Sequence, residues 1–268
     1  MRYQDIDWNE MWREARVRKS WQRKKREHWD QRAEGFAARN LDSPYVEQFL
    51  AHLRLEPEWS VLDMGCGPGT LALPLAEKVA RVTAVDFSPA MLAELEKERS
   101  RRCLTNLAPL QAAWEDDWEA AGIAPHTVVI ASRSLAVDDL AAALLRMDRW
   151  ATKAVYLSDR VGAGPFDPDL FAALGRPFEP GPDYIITLNL LYSLGIHAHL
   201  DFITLAATRR YRSREEAIQS HVWMFDDLSA KEYDRLVHYV DERLVRAGDD
   251  WQLSRRTPPR WALIWWEK

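Results

Sequence analysis

The stretch Val61-Leu62-Asp63-Met64-Gly65-Cys66-Gly67-Pro68-Gly69-Thr70 restricts what this chain can fold into more than any other. It begins as a short apolar strand, breaks into a glycine-rich turn, and runs on into the helical pattern Leu71-Ala72-Leu73-Pro74-Leu75-Ala76. Without a Cβ, a glycine accepts positive φ and lets a ligand lie against bare backbone. Strand, tight turn and helix start together make a nucleotide-type site at the carboxyl end of a parallel strand. One strand on, Arg81-Val82-Thr83-Ala84-Val85-Asp86 ends in an acid, 21 positions after Gly65. Neighbouring strands place that acid beside the glycine turn, where a carboxylate can accept both hydroxyls of a ribose.

The spacing separates two cofactor classes. A dinucleotide fingerprint asks for G-x-G-x-x-G, whereas here the glycines fall at 65, 67 and 69 and position 70 is Thr70. At these residues the chain resembles the class I S-adenosylmethionine-dependent methyltransferases. Asp63 to Gly69 reads as their first motif and Val85-Asp86-Phe87-Ser88 as their second. Ser88-Pro89-Ala90-Met91-Leu92 looks like the small-molecule branch, similar to quinone-biosynthesis methyltransferases. The resemblance runs from residue 29 to residue 160 and loosens beyond. It implies an α/β, Rossmann-like fold: a seven-stranded, mostly parallel sheet of order 3-2-1-4-5-7-6, with helices on both faces. It also implies S-adenosylmethionine as cofactor, S-adenosylhomocysteine as product, and cofactor contacts at Asp63, Gly65, Cys66, Gly67, Gly69, Asp86, Phe87 and Met91.

A chain of 268 residues suits one large α/β domain with additions. An apolar fraction of 47% and a charged fraction of 29% are those of a soluble globular protein. No apolar run is long enough to span a bilayer, and the polar start from Arg2 onward does not read as a signal peptide. Two cysteines, Cys66 and Cys103, argue against a disulfide framework and for a reducing compartment. A cytoplasmic location is therefore expected. The net charge of -5 gives no general attraction for nucleic acid.

Residues 1–56 read as an N-terminal helical cap, and 57–268 as the methyltransferase domain with a substrate-side insertion at about 159–197. Trp8, Met11, Trp12 and Ala15 share one helix face. The cations Arg13, Arg16, Arg18, Lys19, Arg23, Lys24, Lys25 and Arg26 follow, as a patch for phosphate or as a solvated helix face. Trp29-Asp30 through Ala33 to Phe36 resembles a segment that folds over the cofactor in related enzymes, which makes Phe36 a lid and substrate-side candidate. Ser43 and Pro44 read as the N-cap and first residue of a further helix.

Leu107 to Ala113 reads as the third strand, followed by Trp114-Glu115-Asp116-Asp117. By the resemblance, Trp114 stacks on adenine and Glu115 or Asp116 takes its amino group. Thr127 to Ala131 is a buried parallel strand by its β-branched run. Ser132-Arg133-Ser134 sits at its carboxyl end, over the cofactor site, with no Asp/Asn-Pro-Pro-Tyr of the amino-methylating enzymes. Arg133 can hold a carboxylate or phosphate of the substrate, or pair structurally with Asp138 or Asp139. The sixth strand ends at Ala206, Ser213 with Glu216 and Ser229 with Glu232 read as capping boxes, and Trp261 to Trp266 as the antiparallel seventh strand.

Methyl transfer needs an in-line approach and needs a base only if the nucleophile must lose a proton. His197, His199, Asp183 and Tyr184 are candidate catalytic groups, with His221 behind them; Tyr184 and Tyr192 are also substrate-binding candidates. His197, His199 and Asp201 alternate on one strand face, but no metal is expected, because no further ligand converges on them. Cys66 reads as a small structural residue of the turn. A small-molecule acceptor is the expected substrate, with no nucleic acid and no membrane partner. The alternatives are a tRNA methyltransferase working through the basic N-terminal helix, and a non-catalytic S-adenosylmethionine-binding protein.

Overall fold

The structure, a computed structural model, describes residues 2, 5–20, 26–41, 43–222, 224–225 and 227–268; Arg23, Lys24 and Lys25 of the basic run lie outside the described residues. In chain order the strands are β1 (Ser60–Met64), β2 (Arg81–Asp86), β3 (Leu107–Gln111), β4 (His126–Ser132), β5 (Ala151–Arg160), β6 (His199–Thr204), β7 (Thr208–Tyr211), β8 (Leu244–Ala247), β9 (Asp250–Ser254) and β10 (Arg260–Glu267). The helices before β1 are α1 (Trp8–Arg18), α2 (Arg26–Asp30), α3 (Ala33–Asn40) and α4 (Pro44–Ala51). Those that follow are α5 (Ala72–Ala76), α6 (Pro89–Arg101), α7 (Leu140–Trp150), α8 (Pro168–Leu174), α9 (Tyr184–Ser193), α10 (Arg214–Val222) and α11 (Ala230–Arg243).

The main sheet has seven strands in the order β3-β2-β1-β4-β5-β10-β6. β1 to β5 pair in parallel, and β10 enters antiparallel to both β5 and β6. With β10 counted as the seventh strand, this is the expected order. β1 and β4 carry near-continuous apolar runs because helices cover both faces of a parallel sheet. Alternation along each strand then sorts the side chains. Leu62, Met64, Val129 and Val155 join one core, with Trp12 of α1, Leu144 of α7 and Leu191 of α9. Val61, Val82, Val128 and Ile130 join the other, with Phe49 of α4 and Leu73 of α5. Pro109 of β3 is tolerated because β3 is an edge strand.

A second, three-stranded sheet of order β7-β9-β8 had no counterpart in the sequence reading. It packs with α8, α10 and α11 around Phe171, Ile218, Leu236, Val240 and Leu253. Its strands are short and arginine-rich, so their alternation signal is weak: in Thr208–Tyr211 only Tyr211 is buried. Gly248, with φ 67°, makes the turn between β8 and β9. α11 opens with the expected box: Ser229 Oγ accepts from Glu232 N–H and the Glu232 carboxylate accepts from Ser229 N–H. At α10 the box is shifted, because Glu216 Oε2 accepts from Arg212 N–H instead of Ser213 N–H. Ser43 begins α4 without a side-chain cap bond. Ser229→Ala should lower unfolding stability by about 1 kcal/mol, the ordinary worth of an N-cap, read from urea unfolding.

α1 lies against α9 and α7, and Trp12 Nε1–H donates to Val137 O at 2.8 Å. Among the described residues no helix is long and apolar enough to cross a membrane.

Candidate active site

β1 ends at Met64 and the chain turns at once, with Gly65 at φ 75° and Gly67 at φ 56°. The turn is held to β2 because the N–H groups of Gly65 and Cys66 both donate to Val85 O, at 2.8 and 2.9 Å. Across the turn, Ser134 Oγ, in the loop after β4, donates to Met64 O at 2.7 Å. A Cβ on Gly65 would lie 2.3 Å from Ser134 Cβ, so these loops meet only because Gly65 has no side chain. At Gly67 the nearest atom to an added Cβ would be Phe36 Cε1, 3.9 Å away, so the missing side chain leaves space in a cavity. Gly69 has a different use: its Cβ would strike Leu95 Cδ1 at 2.4 Å, and it lets α5 and α6 pack. It is absent from the cavity wall, unlike Gly65, Cys66 and Gly67.

The register Met64↔Val85 brings Asp86 level with the turn. Asp86 Oδ2 accepts from Gly67 N–H at 2.8 Å and Oδ1 from Ser88 N–H at 2.9 Å. A carboxylate has about four acceptor positions, and with the Phe87 N–H also acting on this one, acceptor capacity remains for a ligand. Burial pushes the Asp86 carboxyl above its ordinary range, and those backbone N–H groups pull it back. Asp63, on β1, is more deeply buried. Its carboxyl is pushed up to about 7 by burial and by the Asp86 charge, against a hydrogen bond from the Ala72 N–H at the start of α5. Burial and the same two acids push the Cys66 thiol well up, so it is no nucleophile, as expected from its place in the turn.

The walls come from four further segments. Trp29 of α2 and Phe36 of α3 meet edge to face at 5.7 Å and form one side. Asp30 holds this side down, because its Oδ1 accepts from Ser88 Oγ–H at 2.6 Å, at the N-terminus of α6. Phe87 and Met91 line the wall beside Asp86. Trp114 and Glu115, after β3, complete that end, and Trp114 Nε1–H donates to Ser134 O at 3.0 Å. Asp116 is spent on the turn itself, accepting from Ala113 N–H at 2.8 Å, which leaves Glu115 as the acid facing the cavity. Ser132, the last residue of β4, and Arg133 after it also line the cavity.

Asp138 and Asp139 do not pair with Arg133. Asp138 takes Arg16 at 2.9 Å, and Asp139 takes Arg13 at 3.3 Å while capping α7. Asp183, Tyr184, Tyr192, His197 and His199 lie outside the cavity wall. Asp183 caps α9, and Tyr184 packs edge-on against Phe202. Tyr192 stacks with His197, and His199 stacks on Trp265. Asp201 is bonded to His52 Nε2 at 3.0 Å, and His221 is buried with its Nδ1 at Ala217 O. Among the described residues no group of three or more His, Cys, Asp or Glu side chains could hold a metal ion. Sequence reasoning did not single out Asp30 or Tyr45, and it placed Ser134 over the site without giving it a role. Tyr45 read as a core-facing helix residue, and Ser134 directly follows Arg133, which was chosen.

Residues 61–153 match the family described as "Methyltransferase domain". An uncharacterized protein of Haemophilus influenzae is 34% identical over 241 residues, covering 89% of this chain and 88% of that one. The 23S rRNA (uracil(1939)-C(5))-methyltransferase RlmD of Aliivibrio fischeri is 37% identical over 79 residues, which are 30% of this chain and 18% of that protein. The aklanonic acid methyltransferase DauC of a Streptomyces species is 32% identical over 123 residues, 45% of this chain and 52% of that one. Among solved structures, the YcgJ protein of Bacillus subtilis superposes with a TM-score of 0.57 at 13% identity, over 84% of this chain and 97% of that one, a likeness of fold alone. With the sheet order and the glycine turn, these findings agree on one assignment. The chain belongs to the class I S-adenosylmethionine-dependent methyltransferases, and S-adenosylmethionine is its cofactor.

Proposed function

We propose that the enzyme methylates a small-molecule acceptor, and that both reactants occupy the cavity above the ends of β1, β2 and β4. The observation that carries this reading is the side wall of α2 and α3. Trp29 and Phe36 are held over the glycine turn through Asp30 and Ser88, an enclosure suited to a small acceptor. The cations of α1 are also engaged within the protein: Arg13 with Glu10 and Asp139, Arg16 with Asp138, Arg18 with Glu14. That weakens the case for this helix as a phosphate-binding surface. The similarity to an rRNA methyltransferase covers 30% of this chain, and the similarity to an aklanonic acid methyltransferase covers 45%. We read residues 1–56 as a cap and the segment at about 159–197, between β5 and β6, as the substrate side.

The cavity suits adenosine. Gly65 and Gly67 present backbone where a Cβ would collide or fill space, and Asp86, beside the turn, would accept from the ribose hydroxyls. Phe87 and Met91 would flank the ribose and base, Trp114 would cover the adenine, and Glu115 would accept from its amino group. Cys66 and Ser132 would lie along the aminoacyl part, beside Asp63. Bound S-adenosylmethionine supplies an electrophilic methyl group on a sulfonium. The residues contribute orientation and exclusion of water, which can account for much of a methyl-transfer barrier. Among the residues lining the cavity there is no histidine, so a proton lost by the acceptor would have to go to a carboxylate such as Asp63.

Isothermal titration with S-adenosylhomocysteine, followed by transfer of labelled methyl groups to a small-molecule panel and to bulk tRNA, tests the reading. Transfer to tRNA alone, with binding that falls steeply as salt rises, would overturn it. The titration should also depend on pH. An ionised Asp63 favours a ligand carrying sulfonium and ammonium charges, so S-adenosylmethionine affinity should rise with pH through about 7, with release of a proton on binding. Between pH 8 and pH 6 the expected fall is roughly tenfold. For folding the sign is opposite. A raised carboxyl favours the folded state below its ordinary pKa of 3.8, and that contribution is lost as pH rises through about 7.

A further inference from the structure

We infer that Arg133 is the receptor for a carboxylate on the acceptor, so that the substrate is a monocarboxylic acid; this rests on the small-molecule reading above. Arg133 lies at the carboxyl end of β4 and lines the cavity. Its backbone is held at φ 56°, in the left-handed region that a residue with a side chain occupies at a cost. The position is imposed by hydrogen bonds: Arg133 N–H donates to Ser158 Oγ at 3.0 Å and to Ser158 O at 3.3 Å. The guanidinium lies over the Tyr45 ring at 4.0 Å and near the Trp261 ring at 5.8 Å. Tyr45 is itself locked, because its hydroxyl shares hydrogen bonds with Ser132 Oγ at 2.7 Å and Ser158 Oγ at 2.6 Å.

A rigid platform therefore holds a half-buried cation at the cavity wall, with no protein acceptor on its guanidinium among the described residues. Among the described residues no carboxylate pairs with it, since Asp138 and Asp139 are engaged by α1. Burial lowers the Arg133 pKa from its ordinary value, with Tyr45 opposing, and a guanidinium still stays charged at any physiological pH. A half-buried charge without a counter-ion is only partly compensated by water, and a bound carboxylate would supply that counter-charge with two parallel hydrogen bonds.

Two features select the anion. Tyr45 belongs to α4 and Trp261 to β10, so the guanidinium stands on the β4–β5–β10 half of the sheet, away from Asp86 on β2. That is the acceptor's side of the methyl group if adenosine sits over β1 and β2. The wall also carries Asp63, Asp86 and Glu115 against this one cation among the described residues. Such a field tolerates a single negative charge better than a phosphate dianion.

The test uses the full-length protein saturated with S-adenosylhomocysteine, titrated calorimetrically with benzoate, benzamide and phenyl phosphate. Benzoate should bind at least roughly tenfold more tightly than either analogue. Arg133→Met should erase that preference, and Arg133→Lys should retain part of it, because lysine keeps the charge but loses the fork. Both variants should bind S-adenosylhomocysteine like the wild type. Benzamide or phenyl phosphate binding as tightly as benzoate, no benzoate binding, or an undiminished preference in Arg133→Met would overturn the proposal. So would loss of S-adenosylhomocysteine affinity in Arg133→Met with 5′-methylthioadenosine affinity retained, which would give the guanidinium to the cofactor's own carboxylate. Methyl transfer to neutral small molecules, undiminished in Arg133→Met, would sink this inference and leave the small-molecule reading standing. Transfer only to RNA would sink that reading itself.

Discussion

Replacing Asp86 with alanine is expected to weaken S-adenosylhomocysteine binding by roughly a hundredfold or more, with the fold retained. The estimate follows from two charge-assisted hydrogen bonds to ribose, each worth about 1.5–3 kcal/mol in a site that excludes water. The same carboxylate also braces the turn through Gly67 N–H and Ser88 N–H, so its loss frees the loop that should cradle the ligand. The fold should survive, because a buried carboxylate already carries a desolvation cost that raises its pKa. Removing it recovers part of what the two orphaned N–H groups lose. Asp86→Asn keeps one acceptor oxygen and should fall between alanine and the wild type. Calorimetric titration with S-adenosylhomocysteine beside a thermal melt separates the two effects. Affinity of the alanine variant within about threefold of wild type would remove Asp86 from the site.

Gly65→Ala should be the most destabilising of the single-methyl changes in the turn. The added Cβ would sit 2.3 Å from Ser134 Cβ, and the residue is at φ 75°. Left-handed backbone costs an alanine about 1–2 kcal/mol, and forcing the β1 and β4 loops apart costs about 1–3 kcal/mol more. The sum of about 2–5 kcal/mol corresponds to a drop in Tm of about 10 °C at mid-range for a chain of this size. Gly67→Ala is the internal control. Its Cβ would enter open cavity, with Phe36 Cε1 at 3.9 Å, so only the backbone cost applies, about 1–2 kcal/mol. Ligand affinity should nevertheless collapse in Gly67→Ala, since the methyl occupies the space beside Asp86. Equal melting temperatures for the two variants would show that Gly65 is not at a close loop contact.

That Gly65, Cys66, Gly67, Asp86, Phe87 and Met91 come together at one cavity was legible because these parts are local or one strand apart. The turn from Gly65, the acid at Asp86, Phe87 and Met91 lie within a single β-α-β-α run, and parallel pairing at a known register makes their distances predictable. Gly69 is instructive for the opposite reason. Its motif position suggested ligand contact, but its missing side chain serves Leu95 and Leu73. The acceptor half was poorly legible. The histidines at 197 and 199 and the tyrosines at 184 and 192 were attractive as residue types. They pack against one another and against Trp265 and Phe202, away from the cavity. Alternation along a strand says which residues share a face, and is silent on whether that face meets a site or solvent.

On its own, the order of residues determined the strand, the glycine turn and the acid one strand on, because hydrophobic period and turn chemistry act over a few residues; the order of the seven strands came with the family resemblance. It could not decide whether Arg133 pairs with Asp138 or Asp139. That depended on α1 returning across the sheet to claim Asp138 and Asp139, contacts more than a hundred residues apart in the chain. Nor could it reveal the small sheet of β7, β8 and β9, whose strands carry arginines outward and contribute few apolar side chains to their core. Long-range pairing of charges and weakly patterned strands is settled only when burial makes each unmet charge and backbone group costly. That happens in the packed molecule, after the local elements have formed.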